Sequence, residues 1–123
     1  MPQTGIVLFA EDDGTCPLLA WLDALPPKVQ DKCLVRIARL GELGHELRRP
    51  EADYLRDGIY ELRSSLRDIQ YRILYFFYQT QAILSHGIVK KRTVPIKEID
   101  MALRRKTRFE RNPARHTHQG NIA

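Results

Sequence analysis

Five polar side chains in the second half of the sequence have types and spacing that suit chemistry at a phosphodiester. These side chains are Glu61, Arg63, Arg72, His86 and Lys90, and they lie in three successive stretches with the pattern of β-strands. Because side chains alternate between the two faces of a strand, all five can share one face of a sheet. Arginine and lysine bind phosphate oxygens, whereas a carboxylate and an imidazole can transfer protons. The pattern therefore predicts a site that binds a phosphodiester and moves protons around it.

The same residues also have purely structural interpretations. Glu61 and Arg72 could form an ion pair between neighbouring strands on a hydrated sheet face. His86 follows an apolar run, where a histidine more often makes a structural hydrogen bond. The alternation of side chains leaves both alternatives open.

Three strand patterns must position these side chains. Ile59–Arg63 alternates polar and apolar residues, Ile69–Tyr78 is dense in aromatic and β-branched residues, and Ala82–Lys91 is mostly apolar. Short turns separate them, so we expect an antiparallel meander.

Alternation assigns the residues of these strands to faces. One face of the central strand should be core, with Ile69, Tyr71, Ile73, Tyr75 and Phe77. Arg72 should project from the opposite face into a groove, so that Arg72→Ala would cost little stability. On the next strand, Leu84 is predicted to share a face with His86 and Lys90.

The other elements follow from hydrophobic periodicity and from breaking residues. We predict a strand over Gly5–Glu11, a helix capped by Thr15, a second helix from Pro26-Pro27 to about Gly44, an irregular stretch over His45–Asp57, and a last helix from Ile96 to about Arg108. The order β-α-α-β-β-β-α predicts an α+β fold, with a small mixed or antiparallel sheet and a helix pair on one face. Residues 1–123 should form one domain, with residues 112–123 as a flexible tail.

Charge is distributed unevenly along the chain. Residues 1–85 contain 10 basic and 12 acidic residues, which gives −2, whereas residues 86–123 contain 10 basic and 3 acidic residues, which gives +7. The basic part begins at Lys90-Lys91-Arg92, where the apolar strand ends. A one-sided basic region favours a nucleic-acid partner, although a solvated face or an acidic protein partner would have the same composition.

The sequence argues against several other classes of protein. Cys16 and Cys33 have no spacing typical of a zinc site, and we expect two reduced, buried thiols. No apolar run is long enough to span a membrane, and the first residues do not resemble a signal peptide. These features predict a cytoplasmic protein without a metal or other cofactor.

Four segments together resemble the RelE/ParE toxin superfamily, and in particular its phage-derived, HigB-like branch. They are WLDALPPKVQDK (21–32), LRDGIYELR (55–63), QYRILYFF (70–77) and ILSHGIVKKRTVPIKEIDMALRR (83–105). The similarity extends over about residues 5–108, in order. It implies the RelE-like fold, and the β-α-α-β-β-β order of that superfamily is also the order that the patterning predicts.

The resemblance implies the toxin of a type II toxin–antitoxin system, which inhibits growth. RelE- and HigB-like toxins are metal-independent endoribonucleases that cut mRNA, typically on the ribosome, by attack of the 2′-hydroxyl on the adjacent phosphate. The implied partners are mRNA, the ribosome and a cognate antitoxin, usually of the helix-turn-helix type; no membrane is involved.

Roles for individual residues also come from the resemblance. Arg72 lies where the superfamily has a phosphate-stabilising arginine, and Arg63 occupies a position that is often basic. Glu61 lies where relatives have a catalytic lysine or an acid, which suggests a general base. His86 belongs to the HGxxKK pattern of this branch, with either a catalytic or a structural role. The cationic strand end corresponds to RNA-binding residues near the scissile phosphate: Lys90, Lys91 and Arg92.

The sequence departs from the superfamily at the general acid. Relatives often have a tyrosine or histidine near the C-terminal end, but no tyrosine follows Tyr78, and His116 and His118 lie in the predicted tail. Two alternatives therefore remain open. The chain could be a ParE-like toxin that inhibits a protein such as gyrase, or an inactive relative that only binds nucleic acid.

Overall fold

The computed structural model describes residues 4–90 and 92–120, which form one five-stranded sheet and three α-helices. The elements are β1 (Gly5–Leu8), α1 (Pro17–Asp23), α2 (Pro27–Leu43), a 3₁₀ turn (Gly44–Glu46), β2 (Ala52–Arg56), β3 (Ile59–Leu66), β4 (Ile69–Tyr78), β5 (Gln81–Lys90) and α3 (Ile96–Arg111). The predicted α+β class is confirmed. No helix in the described part of the chain is long and apolar enough to cross a membrane.

The sheet is mixed, with the strand order β1-β5-β4-β3-β2. β1 runs parallel to β5, and the other neighbouring strands are antiparallel. We call the sheet face covered by α1 and α2 the inner face, and the opposite face the outer face. The inner face carries the larger core, which includes Leu18, Leu22, Val29, Cys33, Ile37, Leu40, Leu62, Ile73 and Tyr75. The predicted core face of the central strand is thus confirmed, although Ile69 at its start is exposed.

Prolines begin both inner-face helices, because the first helical position needs no backbone N–H donor. Pro17 begins α1 and Pro27 begins α2. Residue 16 is the N-cap of α1, so the prediction of a Thr15 cap is wrong; the Thr15 hydroxyl donates to Asp13 Oδ1 instead. Both cysteines are buried free thiols, and burial raises the pKa of each.

Helix α1 lies close to β5 because β5 has a glycine where they meet. A Cβ atom at Gly87 would overlap the six-membered ring of Trp21. The indole also makes an edge contact with the ring of Tyr71, with centroids 6.4 Å apart. Gly87 therefore allows the tryptophan to cover the sheet directly.

Helix α3 covers part of the outer face and forms a second core there. The side chains in this core are Phe9, Ile59, Leu74, Phe76, Ile83, Ile99, Ala102 and Phe109. The sequence analysis identified the main core correctly and an apolar side of α3, but it did not assign α3 to the opposite face, where it forms this second core. Only the part of the outer face beyond α3 is left for the predicted polar residues.

A β-bulge in β5 changes which side chains face outward. Leu84 is opposite Tyr75 and His86 is opposite Leu74, so Ser85 is an extra residue between two regular pairs. Leu84 therefore packs in the inner core, and its predicted placement beside His86 is wrong. Simple alternation cannot predict a bulge, because the extra residue shifts the alternation by one.

Two segments predicted to be irregular are ordered. The stretch His45–Asp57 contains β2, which is paired with β3 along the edge of the sheet. The tail predicted from Asn112 is bound to the end of β1: Ala10 N–H donates to His116 O, and His118 N–H donates to Leu8 O, both at 2.8 Å. The His116 ring is 4% exposed and stacks on Phe9. Residues 112–118 are therefore attached to the fold by hydrogen bonds that the sequence did not suggest.

Candidate active site

Strand register brings four of the five predicted side chains together beyond α3. Arg63 is opposite Arg72, and Glu61 is the next outward residue along β3. Lys90 is opposite Gln70 at the end of β5. We call Glu61, Arg63, Arg72 and Lys90 the basic cluster. Because paired residues share a face, the predicted common face of these four side chains is confirmed.

A buried ion pair forms the centre of the basic cluster. Arg72 Nε lies 3.0 Å from Glu61 Oε1, and Lys90 Nζ lies 3.7 Å from the same oxygen. Arg72 is 2% exposed and Glu61 is 4% exposed. The expectation that Arg72 projects freely into a groove is therefore wrong. The cross-strand ion pair that the sequence left open is present, but it is buried and does not lie on an exposed face.

The Arg72 guanidinium is held on several sides. Its Nη1 donates to the Tyr71 carbonyl at 3.0 Å and, more weakly, to the Ser64 carbonyl at 3.4 Å. Its Nη2 donates to Gln70 Oε1 at 3.0 Å. The contact from Nε to Glu61 Oε1 lacks hydrogen-bond geometry, which leaves these two buried atoms without a well-directed partner. This arrangement fixes the arginine but leaves it poorly satisfied toward Glu61.

Cations outnumber carboxylates in the basic cluster by three to one. Burial is the main cause that lowers the pKa of Arg72 and of Lys90, and the neighbouring arginines lower them further, whereas Glu61 raises both. Arg63 is half-buried, and its guanidinium makes no ion pair or hydrogen bond within the described residues. The cluster therefore has an excess of positive charge close to the surface.

A small polar cavity of about 190 Å³ opens beside the cluster, at the edge of β3 beyond the end of β2. We call it the edge cavity. Its lining residues are Arg36, Pro50, Arg63, Ser64, Ser65, Gln70 and Arg72. Larger grooves elsewhere contain none of the predicted residues, such as the mainly apolar one of about 580 Å³ between β1 and α2 and the polar one of about 370 Å³ that shares Arg36, Ser64 and Ser65 with the edge cavity. The edge cavity is thus where solvent meets the predicted chemistry.

His86 belongs to a different group of side chains, on the half of the outer face covered by α3. Its Nε2 lies 3.0 Å from Glu98 Oε1, and its Nδ1 lies 2.8 Å from Ser85 Oγ. Arg105 Nη1 donates to the same hydroxyl at 3.4 Å. Arg105 also forms an ion pair with Glu11, with 3.5 Å between Nε and Oε1. We call these residues, together with Arg108, the histidine cluster.

The surroundings of His86 favour a neutral ring. Burial and the charge of Arg105 lower its pKa, against the opposing effect of Glu98. The neutral ring then donates from Nε2 to Glu98 and accepts at Nδ1 from Ser85. Within the described residues no hydrogen bond or ion pair joins this ring to the basic cluster. The two groups share a face, but they do not form the single neighbourhood that we predicted.

The predicted RNA-binding strand end is only partly described. The side chain of Lys90 lies on the outer face but does not extend into solvent, because its ammonium turns back over the sheet toward Glu61. Arg92 is exposed in the loop after β5. Lys91 lies outside the described residues. No group of three or more metal-ligating side chains is found in residues 4–90 and 92–120.

Sequence reasoning missed two residues that the fold brings to these clusters. Arg36 of α2 reaches the sheet edge, where its Nε donates to the Arg63 carbonyl at 2.8 Å. Glu98, in the first turn of α3, binds His86. Ile99 and Leu103 predicted an amphipathic α3, which could have suggested that Glu98 lies near the sheet. No comparable pattern pointed to Arg36.

Comparison with known proteins gives one assignment. No curated protein sequence matches the chain significantly. Residues 20–107 match the family described as "Phage derived protein Gp49-like (DUF891)". The match covers α2, the whole antiparallel part of the sheet and most of α3, and it includes every residue of both clusters except Glu11 and Arg108. The chain therefore belongs to the Gp49-like family of phage-derived proteins.

Proposed function

We propose that this protein is the toxin of a type II toxin–antitoxin system and a metal-independent endoribonuclease that cuts mRNA on the ribosome. The observation that carries the proposal is the basic cluster, in which one carboxylate lies among three cations on a rigid sheet. Membership of a phage-derived family and the resemblance to RelE/ParE toxins agree with it. The cytoplasm and a helix-turn-helix antitoxin follow from the same proposal as location and partner.

Binding is assigned to the cations that solvent can reach. Arg63 has no carboxylate partner in the described structure, and Lys90 has a flexible four-carbon stem. Both can meet a phosphate oxygen that arrives from outside. Arg72 lies behind them, where its charge stabilises the phosphate through a medium that contains little water. Arg92 adds affinity that depends on salt but not on sequence.

The reaction needs a base and an acid. Glu61 accepts the proton of the 2′-hydroxyl as the bond from O2′ to phosphorus forms. Lys90, whose pKa is lowered, donates a proton to the 5′-oxygen as the bond from phosphorus to O5′ breaks. The products are a 2′,3′-cyclic phosphate and a 5′-hydroxyl. Transfer of the proton from Glu61 to the neutral Lys90 restores the enzyme, since these two groups are in contact in the free protein.

In-line displacement requires the free-state contact to open. The attacking and leaving oxygens lie on opposite sides of phosphorus, so an acid and a base that touch one another cannot serve both. The ammonium of Lys90 must therefore swing away from Glu61 when the phosphate enters. His86 receives a structural role in this scheme, because its ring is fully engaged with Ser85 and Glu98.

The test is to map new RNA 5′ ends in cells after brief induction. The wild type should create discrete ends with 5′-hydroxyl groups inside translated messages. Glu61→Gln should abolish them and Arg63→Gln should reduce them strongly, whereas Lys32→Gln, an exposed cation on α2, should not change them. New ends that persist at full level in Glu61→Gln would exclude Glu61 as the base.

A second candidate is a toxin or an inactive relative that binds without cutting. The observation in its favour is that Glu61 already compensates the buried Arg72. Growth arrest without new RNA ends would favour a ParE-like inhibitor, and inhibition of DNA supercoiling would be the next assay. Neither arrest nor new ends would favour the inactive relative.

A further inference from the structure

The edge cavity collects three arginines from three different elements. Arg36 comes from α2, Arg63 from β3 and Arg72 from β4, and all three line a space of about 190 Å³. Two serines and Gln70 provide further polar lining, and no carboxylate is among the lining residues. Such a cavity is chemically suited to an oxyanion, because guanidinium groups and hydroxyls are its natural donors.

The carboxylates that pair with these arginines lie outside the cavity. Arg36 Nη1 donates to Glu51 at 3.1 Å, but Glu51 is shared with Arg39, which binds it through two nitrogens at 3.1 and 3.2 Å. One carboxylate therefore serves two arginines on this side. On the other side, Glu61 contacts only Nε of Arg72, whose Nη groups lie toward Gln70 and Ser64 of the lining. The cavity therefore retains an excess of positive charge.

Arg36 also has a donor to spare. Its Nε is used by the Arg63 carbonyl and its Nη1 by Glu51, while its Nη2 has no partner within the described residues. The bond to the Arg63 carbonyl fixes the guanidinium at the edge of the sheet. A fixed guanidinium loses little conformational freedom when it binds an anion.

We propose that the edge cavity is an oxyanion site that binds an RNA phosphate next to the one that is cleaved, with Arg36 as a phosphate-binding residue. That the phosphate belongs to RNA rests on the proposed function. Glu61 and Lys90 do not line the cavity, so it lies beside the place of cleavage and not at it. Arg63 and Arg72 belong to both groups and would lie between the two phosphates.

Helix α2 offers a matched pair of variants for the test. Arg36→Gln and Arg39→Gln each remove one cation that binds Glu51, but only Arg36 lines the cavity. Affinity should be measured with an oligoribonucleotide that carries 2′-O-methyl groups, which prevent cleavage. Arg36→Gln should weaken binding about tenfold and reduce the salt slope by roughly 0.7, as for one lost phosphate contact on a single strand. Arg39→Gln should stay within about twofold of the wild type.

Equal losses of affinity in the two variants would overturn the site, because they would report only the general charge of the protein. A titration with inorganic phosphate, followed by NMR of the arginine Nε–H groups, separates the site from the proposed function. If phosphate shifts the Nε–H resonances of Arg36 and Arg63 but the protein neither binds nor cuts RNA, the oxyanion site would be supported and RNA would be excluded as its ligand. If the wild type cuts RNA, and Arg36→Gln and Arg39→Gln cut it equally well, the proposed ribonuclease function would be supported and the proposed oxyanion site would be wrong.

Discussion

The two halves of the outer face both contain buried polar side chains, but they differ in the balance of positive and negative charge. In the histidine cluster, two arginines face two carboxylates around a neutral imidazole, and α3 closes the group. In the basic cluster, Glu61 contacts Arg72 and Lys90, Arg63 is a third cation without a carboxylate partner in the described structure, and the sheet ends beside them in an open cavity. The central side chains are buried in both places, Arg72 and Glu61 in one group and Ser85 and His86 in the other. The difference in charge balance is the reason that we propose a structural role for the half with the histidine cluster and anion binding for the half with the basic cluster.

The largest expected effect is that of removing Arg72. Arg72→Ala leaves Glu61 buried beside a lysine alone, and this should destabilise the protein by about 3–5 kcal/mol. Chemical denaturation of the purified variant measures the loss. An unchanged unfolding midpoint would mean that the ion pair is hydrated in solution, and that the two halves do not differ in burial as described.

A double variant separates stability from activity in the basic cluster. Glu61→Leu combined with Arg72→Met replaces both charges with apolar groups, which is often neutral for stability. We expect this protein to fold with a midpoint near that of the wild type and to have lost RNA cleavage. If the double variant still cuts RNA, the cluster is structural like its neighbour.

An inner-face variant provides the reference for both halves. Gly87→Ala forces the Trp21 ring away from β5, and the overlap should cost about 2–3 kcal/mol. Since neither outer cluster is altered, RNA affinity measured well below the unfolding temperature should not change. A parallel loss of affinity would mean that the basic cluster depends on global stability rather than on its own charges.

The smallest expected effect lies in the histidine cluster. His86→Asn removes two buried hydrogen bonds and should cost about 1–2 kcal/mol without changing RNA affinity. Because the pKa of His86 is lowered in the folded protein, its contribution is present above about pH 6.5 and is lost as the pH falls. The wild type should therefore lose more stability than His86→Asn between pH 7 and 5.5. Identical pH profiles would argue that the ring is not buried as a neutral group.

Much of this comparison can be predicted from the sequence. Ile69–Tyr78 has strong β-forming residues over its whole length, so its bounds and its core face follow from alternation alone. The shared face of Glu61, Arg63 and Arg72 follows from the short turn between two such strands. These features depend on contacts between neighbours in the chain.

The rest depends on distant segments. Arg72 is buried in part because Lys90 folds back over the sheet, and a strand pattern does not indicate the path of a long side chain. Arg36 and Glu98 reach their clusters from helices whose positions are set by the whole core. The polar segment after Asn112 contains no periodicity, yet it is ordered because β1 offers it free backbone groups.

The bulge at Ser85 divides β5 into two segments in which the alternation of inward and outward side chains is shifted by one residue. Upstream of it, even-numbered Leu84 points inward, and downstream the even-numbered His86, Ile88 and Lys90 point outward. Deletion of Ser85 would restore one regular alternation and leave each of these side chains on its present face. Deletion of Val89, by contrast, would turn Lys90 to the inner face, away from Glu61. The effect of a deletion in this strand therefore depends on its position. Ser85, which has no partner in the ladder, is the residue whose deletion keeps every following side chain on its face.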